Sequence, residues 1–491
     1  MTTPNLSELQ SPPPSQPLPK INLWTMFRLG LFQLGLGIMS LLTLGVLNRI
    51  MIDELKVLPI IAAGAIAMHQ LVSPARVWFG QMSDAKPLLG KYRTSYVWLG
   101  TLAFTSLSFI ALQIVWQIGQ SLQITGWTLP TYLWSVLLAL IFALYGFALS
   151  ASSTPFAALL VDVSDDDNRS KLVGIVWSML MIGIVVGAIV SSRLLEQPEI
   201  CGREILSYNP AQSAKIVDIA QLQATINPVF IIMPAIVFGL CLLATFGIEE
   251  KYSRYGLRST IAEQENQITL SRAIAILRSN RQTGLFFSFL IILTLSIFMQ
   301  DSVMEPYGGE VFGMCIADTT KLNVPFGMGT LFGISGTGLF LISRLGKKKT
   351  TNAGCVGSAI AFGFIILSGG IGNASLLKSS LLLLGLSSGM ITAGATSLML
   401  DLTAAETAGT FIGAWGLAQA MARGLATLLG GAVLNLGKLV FTQSVWAYAS
   451  VFVLQAVGMF VAIWMLGKVN IREFKENARQ AIAKVMEAEL D

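Results

Sequence analysis

Three carboxylates stand close together in the stretch FMQDSVMEPYGGEVFGM, Phe298 to Met314: Asp301, Glu305 and Glu310. Inside a membrane, such groups pair with a cation, relay protons or mark a ligand path. They follow the apolar run GLFFSFLIILTLSI, and Pro306 with Gly308-Gly309 is a helix-stop signal. At a rise of about 1.5 Å per residue, Asp301 and Glu305 fall about 24–30 Å along that helix, and Arg49 reaches a similar depth at the end of the first apolar run. Two chemistries are open there. One is a helix-end ion pair with Arg49. The other is a Glu–Arg pair that ligates magnesium, with the arginine neutralising the carboxylate.

Two further ionisable residues sit inside apolar runs, where each costs roughly 2.5–3.5 kcal/mol on insertion scales and so needs a partner. Arg423, in AWGLAQAMARGLATLLGG, lies about 20 Å into its helix. Trp415, Gln419 and Arg423 repeat at i, i+4, i+8 and share one face, while Gly413, Gly416, Ala420 and Gly424 form a separate small-residue surface. Arg423 is either a structural arginine paired to carbonyls or a carboxylate, or a cavity-facing group for an anionic or carbonyl-bearing ligand. His69, beside Gln70 in AIAMHQLVSPARVWFG, is the one histidine of the chain. It is either a hydrogen-bonded interior residue or an axial ligand for a chlorin magnesium.

Other chemistries are excluded. There is no nucleophile elbow, P-loop, dinucleotide-binding glycine motif or zinc motif, so an enzyme is not expected. The four cysteines form no CxxC pair, and one histidine cannot build a His-rich metal centre. A net charge of +5 spread over short loops does not indicate nucleic acid.

The elements that carry these residues follow from composition. Of 491 residues 54% are hydrophobic and 12% charged, with a mean hydropathy of +0.68; soluble domains carry about 25% charged residues. Lipid must be the solvent, and the chain is expected to be an all-α integral membrane protein. A bilayer core of about 30 Å takes about 20 apolar residues per helix. Twelve spans are predicted, near 28–50, 57–79, 95–118, 132–161, 171–195, 228–248, 284–306, 325–344, 353–372, 376–400, 408–436 and 444–467.

Lysine and arginine concentrate in two short loops, Lys86, Lys91 and Arg93 after span two and Lys347, Lys348 and Lys349 after span eight. Loops nine–ten and eleven–twelve carry one lysine each, Lys378 and Lys438. By the positive-inside rule both termini and the central loop are cytoplasmic. The expected layout is a disordered cytoplasmic tail over 1–22, a six-helix bundle over 23–248, a cytoplasmic central loop over 249–283, a second bundle over 284–467, and a cytoplasmic amphipathic helix over 468–491. The segment 196–227 is expected to be a long outer loop.

The halves repeat each other. LLVDVS at 159–164 matches LMLDLT at 398–403, and at the same offset Gly146 matches Gly385 and Gly174 matches Gly413. Two parallel six-helix repeats are the layout of the major facilitator superfamily. Gly80 and Asp84 in GQMSDAKPLLGKYR, with Arg93 closing the loop, resemble its G-x-x-x-D loop signature. There Gly80 permits close helix contact, and Asp84 caps a helix N-terminus or pairs with an arginine.

MQDSVMEPYGGEVFGM (Met299–Met314), TLGVLNRIMIDEL (Thr43–Leu55), SDAKPLLGKYRTSYVWLGT (Ser83–Thr101) and DLTAAETAGTFIGAWGLAQAMARGLATLLGG (Asp401–Gly431) together resemble the PucC/LhaA-type proteins, the bacteriochlorophyll delivery branch of that superfamily. The resemblance runs from about residue 22 to 467. It implies a membrane factor in assembly of light-harvesting or photosystem complexes, handling chlorophyll or bacteriochlorophyll or shepherding antenna polypeptides, in a thylakoid or bacterial inner membrane. It implies pigment, antenna or photosystem polypeptides and membrane lipid as partners, and carries over Asn48, Arg49, Glu54, Asp301, Glu305, Tyr307, Glu310, Gln419 and Arg423. His69 and Glu305 are the candidate magnesium ligands; no resident metal is expected. The competing expectation is a secondary transporter of a small or lipid-like solute. The absence of mid-helix carboxylates in spans one, four and ten weakens proton coupling there.

Overall fold

The structure is a computed structural model and describes residues 20–164, 166–195, 219–253, 281–401, 408–470 and 473. Among these the chain is helical, with a single isolated bridge between Leu88 and Lys91. Eleven helices are long and apolar enough to cross a membrane: Leu23–Glu54, Pro59–Asp84, Thr94–Thr125, Leu129–Val163, Lys171–Leu194, Ile219–Tyr252, Gly284–Ser302, Lys347–Ile371, Ala374–Met399, Gly416–Val440 and Ser444–Lys468. The twelfth, span eight, is built from Asn323–Gly336, a π turn over Thr337–Leu341, and Ile342–Leu345. Large apolar side chains such as Trp24, Leu133, Val136, Leu140 and Phe460 are more than half exposed. A water-soluble surface does not carry so continuous an apolar belt, whereas hydrocarbon solvates it. The chain is a multi-pass integral membrane protein.

The internal repeat predicted from matching glycines is visible in the packing. In the first half, span one packs on five and six, span two on four, and span three on four and six. In the second half, span seven packs on eleven and twelve, eight on ten, and nine on ten and twelve. Each pairing in one half has its counterpart six spans later. The halves meet along two seams that the same symmetry relates, span two against eleven and span five against eight.

Two faces can be defined by the loops. The basic-loop face carries Lys91, Arg93 and Lys348, and there Lys348 Nζ donates to the carbonyls of Gly467 and Val469, each at 3.1 Å. The opposite face carries the ends of spans one and seven.

Several boundaries differ from expectation. Span six begins at Ile219 rather than near 228, because Pro228 and Pro234 are accommodated inside the helix. This corrects the last part of the expected outer loop 196–227; residues 196–218 lie outside the described residues. The expected amphipathic helix beyond 468 also lies outside them, except for its first residues and Glu473. Span two is broken. Its first piece ends at Leu71, Val72 to Pro74 form a turn, and a second helix runs Ala75–Ala85. Pro74 lacks the N–H that a continuous helix would need there.

Candidate functional site

The segment Met299–Met314 joins the two halves at the opposite face. The helix Arg281–Phe298 tightens into a 3-10 turn over Met299–Ser302, and a new helix, Met304–Phe312, starts with Glu305 and Pro306 in its first turn. Pro306 therefore opens a helix, where its missing N–H costs nothing. The expected stop at Pro306 is corrected: the helix ends at Gly313, whose φ of 67° lies in the left-handed region that glycine favours.

The end of span one lies against this segment. Its helix carries two π turns, Leu41–Val46 and Ile50–Glu54, on either side of Leu47–Arg49. Such turns often mark functional positions. Asn48 Nδ2 donates to the Ser302 carbonyl at 2.6 Å, and Arg49 Nη2 donates to the Met314 carbonyl at 2.9 Å. Two glycines permit the approach, since a Cβ on Gly45 would fall on the Glu305 carboxylate and one on Gly309 on Asp53 and Arg49.

Arg49 is only 2% exposed. Its carboxylates come from its own helix, Asp53 one turn on and Glu54 at 3.3 Å. The expected Arg49 ion pair with Asp301 or Glu305 is thus corrected, because the i, i+4 spacing supplies a nearer partner. Glu305 lies within electrostatic reach of Arg49, but its Oε1 accepts from Asn323 Nδ2 at 2.6 Å and its Oε2 has no partner. Glu310 accepts from Lys438 Nζ at 2.8 Å and Tyr448 Oη at 3.1 Å, with Lys56 of the first half 3.8 Å away. Tyr307 is buried in the second half, where its Oη donates to the Ile365 carbonyl at 2.8 Å among Phe312, Tyr448 and Phe452.

A second group lies deeper, between spans two, seven and eleven. Arg423 presents exposed surface there, with its guanidinium 3.7 Å from the centre of the Phe298 ring. Asp301, Arg76 and Arg423 lie within electrostatic reach of one another in two pairs, Asp301 with Arg423 and Arg76 with Arg423. Gln419 is half-buried one turn before Arg423; the side chain of Trp415 lies outside the described residues. His69 is enclosed. Its Nδ1 is 2.5 Å from the Ile66 carbonyl, and the rings of Phe142 and Tyr145 pack against it.

Neither candidate magnesium ligand fits a chlorin. The flat face of the macrocycle needs open space at the ligating atom, and both His69 and Glu305 are closed in by side chains. The hydrogen-bonded interior reading of His69 is the one its surroundings favour.

At the basic-loop face a third group is built wholly within the first half. Arg93 Nε donates to Asp162 at 2.9 Å and its Nη1 to Ser83 Oγ at 2.8 Å, and it pairs with Asp84 at 2.5 Å. Burial opposes its charge, but Asp162 and Asp84 more than offset that and hold the guanidinium above its ordinary value. Asp84 thus pairs with an arginine, the second of its two expected roles. The N-terminal N–H groups of span three, Tyr92 to Thr94, donate to the Glu249 carboxylate at 2.7–3.2 Å, a favourable place for an anion. Gly80 faces Thr154 of span four, but a Cβ there would meet it at 3.5 Å, an ordinary contact, so the expected close approach does not depend on the glycine.

The family model for PUCC protein matches residues 46–474. The chain belongs to the PUCC protein family. Its relatives include a Rhodobacter capsulatus protein named Bacteriochlorophyll synthase 44.5 kDa chain, 29% identical over 90% of this chain and 94% of the relative. Protein PucC of the same organism is 28% identical over 90% of this chain and 92% of its own length. Among solved structures, a bacterial homologue of the human lysosomal transporter Spinster covers 92% of this chain and 97% of its own at 11% identity, with a TM-score of 0.65. A bacterial homologue of the iron transporter ferroportin covers 91% and 99% at 10% identity, with a TM-score of 0.60. At these identities the likeness concerns fold alone, and the fold is that of the twelve-helix major facilitators.

The PUCC match spans all three groups. Sequence reasoning missed several of their members, Asp53 and Lys56 among them. Asn323, Lys438 and Tyr448 complete the joint around Glu305 and Glu310, and they come from helices whose register with span seven no local pattern reveals. Arg76 falls inside the second predicted span, 57–79, but was not singled out there; in the structure it lies in the piece of helix that resumes at Ala75.

Proposed function

We propose that this chain is a non-enzymatic membrane assembly factor for light-harvesting or photosystem complexes, which handles or delivers a chlorophyll-type pigment or shepherds antenna polypeptides. Membership of the PUCC protein family over residues 46–474 carries the reading. The names of its relatives, a bacteriochlorophyll synthase chain and Protein PucC, support the link to pigment. The ionisable groups at the joint are engaged in holding helices together, as suits a scaffold. The surplus charge faces the space between the halves, as suits a binder. We read the basic-loop face as cytoplasmic, with both termini there, the bundles as 23–248 and 284–467, and the membrane as a thylakoid or bacterial inner membrane.

The test is purification from the native host in mild detergent, with an absorption spectrum and mass spectrometry of what accompanies the protein. Stoichiometric chlorophyll-type absorption with antenna or photosystem subunits is the expected result. Subunits without pigment would make it a polypeptide chaperone. A colourless protein without partners would overturn the proposal in favour of solute transport. In cells, Arg423→Ala and Glu305→Ala are expected to lower antenna or photosystem levels while the variant stays in the membrane; wild-type complex levels in both would remove these residues from the site.

A further inference from the structure

Two guanidiniums face the space between the halves at mid-membrane depth with too little negative charge to match them. Arg76 lies in the inner piece of span two, about 14 Å from its basic-loop end. Arg423 lies about 22 Å into its own helix. The seam between spans two and eleven sets their heights. Gly431 packs on Pro59 and Ala63, Gly64 on Leu428, and Gly424 on Gln70 and Leu71. The two helices therefore run antiparallel, and this register brings Arg76 level with Gln419 and a turn away from Arg423. The two charges are close enough to repel.

Among the described residues neither arginine has a carboxylate within ion-pair distance, and Arg76 Nε is buried without a hydrogen-bond partner. Asp301 attracts Arg423 from further off, and the Phe298 ring covers one face of its guanidinium. His69, the other titratable group in reach, is held by the Ile66 carbonyl and packed by aromatic rings. The balance is two cations to one carboxylate. An intramembrane arginine without a partner is costly, and a fork of N–H donors is matched by an oxyanion with two acceptor oxygens.

We infer that Arg76 and Arg423 together bind the carboxylate or phosphate head of an amphiphile whose apolar body lies between the two halves. Gln419, on the same face as Arg423, is placed to donate to the same head. Two sources share this chemistry, a chlorin bearing a free acid side chain and an anionic lipid. In its pigment arm the inference rests on the function proposed above; in its lipid arm it does not.

The test uses the full chain in nanodiscs. Pheophorbide a, a metal-free chlorin with a free carboxylate, is titrated by fluorescence against pheophytin a, in which that carboxylate is esterified. In parallel, retention of phosphatidylglycerol against phosphatidylcholine is read by native mass spectrometry. Expected is preference for the acid over the ester, or for the anionic over the zwitterionic lipid. Affinity for the preferred probe should fall on the order of 30-fold or more in Arg423→Gln and Arg76→Gln and recover partly in Arg423→Lys and Arg76→Lys. Acid preference identifies a pigment head, and lipid preference alone identifies a lipid head.

Equal binding of acid and ester together with equal retention of both lipids would overturn the inference in the wild-type protein, without recourse to a variant. Unchanged affinity in both glutamine variants would overturn it as well. Pigment bound without regard to head charge would sink the inference and leave the proposed function standing. Anionic lipid bound with no pigment or antenna partner would do the reverse.

Discussion

Arg49 and Arg93 are both buried, at 2% and 4% exposure, and each faces two carboxylates, yet they hold different things together. Arg93 ties Asp84 and Asp162 and touches Ser83, all in the first half. Arg49 takes its carboxylates from its own helix and uses a remaining donor to reach Met314 in the second half. Asn48 and Lys56 reach across beside it, to Ser302 and Glu310. The joint between the halves thus lies at the end of spans one and seven, while the basic-loop end is braced within one half. Separation at the joint need not disrupt either bundle, whereas loss of the brace damages the first bundle itself.

The sharpest way to break this comparison is Arg93→Gln, which takes the cation away from Asp84 and the buried Asp162. A loss of about 3–5 kcal/mol is expected, read as a large drop in thermal midpoint in detergent and in abundance in the membrane. Arg49→Gln is expected to cost about 2–3 kcal/mol, because Asp53 and Glu54 keep partial access to solvent. Its distinguishing effect is local. Cys315, half-buried beside Met314, should react faster with a maleimide, while Cys241 and Cys355 stay buried and unreactive. In a Cys201→Ser background the Arg49 variant should label faster than wild type in the folded protein, and the Arg93 variant should not. Equal labelling in both would mean that Arg49 does not hold the halves together. Lys56→Ala should cost less than about 0.5 kcal/mol, since Lys56 is 68% exposed and Glu310 keeps Lys438 and Tyr448.

Much of this was legible in the sequence because lipid imposes a long, simple signal. A helix that must cross hydrocarbon announces itself in about 20 residues, and the offset between Gly146 and Gly385 exposed the repeat. Span eight was legible as well, expected near 325–344 and found over Asn323–Leu345 in spite of the π turn at Thr337–Leu341. The candidate site was legible only in part. Arg49, Glu305 and Arg423 were singled out as positions of interest, but the groups that lie against them were not. Asp301 and Glu305 were read as one cluster, whereas the 3-10 turn at Met299–Ser302 separates them, Asp301 toward Arg423 and Glu305 toward Asn323. A departure of one or two residues from α geometry reassigns every partner beyond it, and nothing in side-chain periodicity reports it. The Asp53 partner was available from its i, i+4 spacing alone.

The π turns of span one carry a mechanical consequence. An extra residue in a helix is the one-dimensional counterpart of an edge dislocation in a crystal, a defect that glides without the lattice coming apart. Moving such a defect past one residue turns that residue about 100° around the axis. Arg49 sits between two of them, so a small shift of either would swing it off Met314 with the rod still intact. Span one is built as a key that can turn in its lock, with Asn48 and Arg49 as its bit.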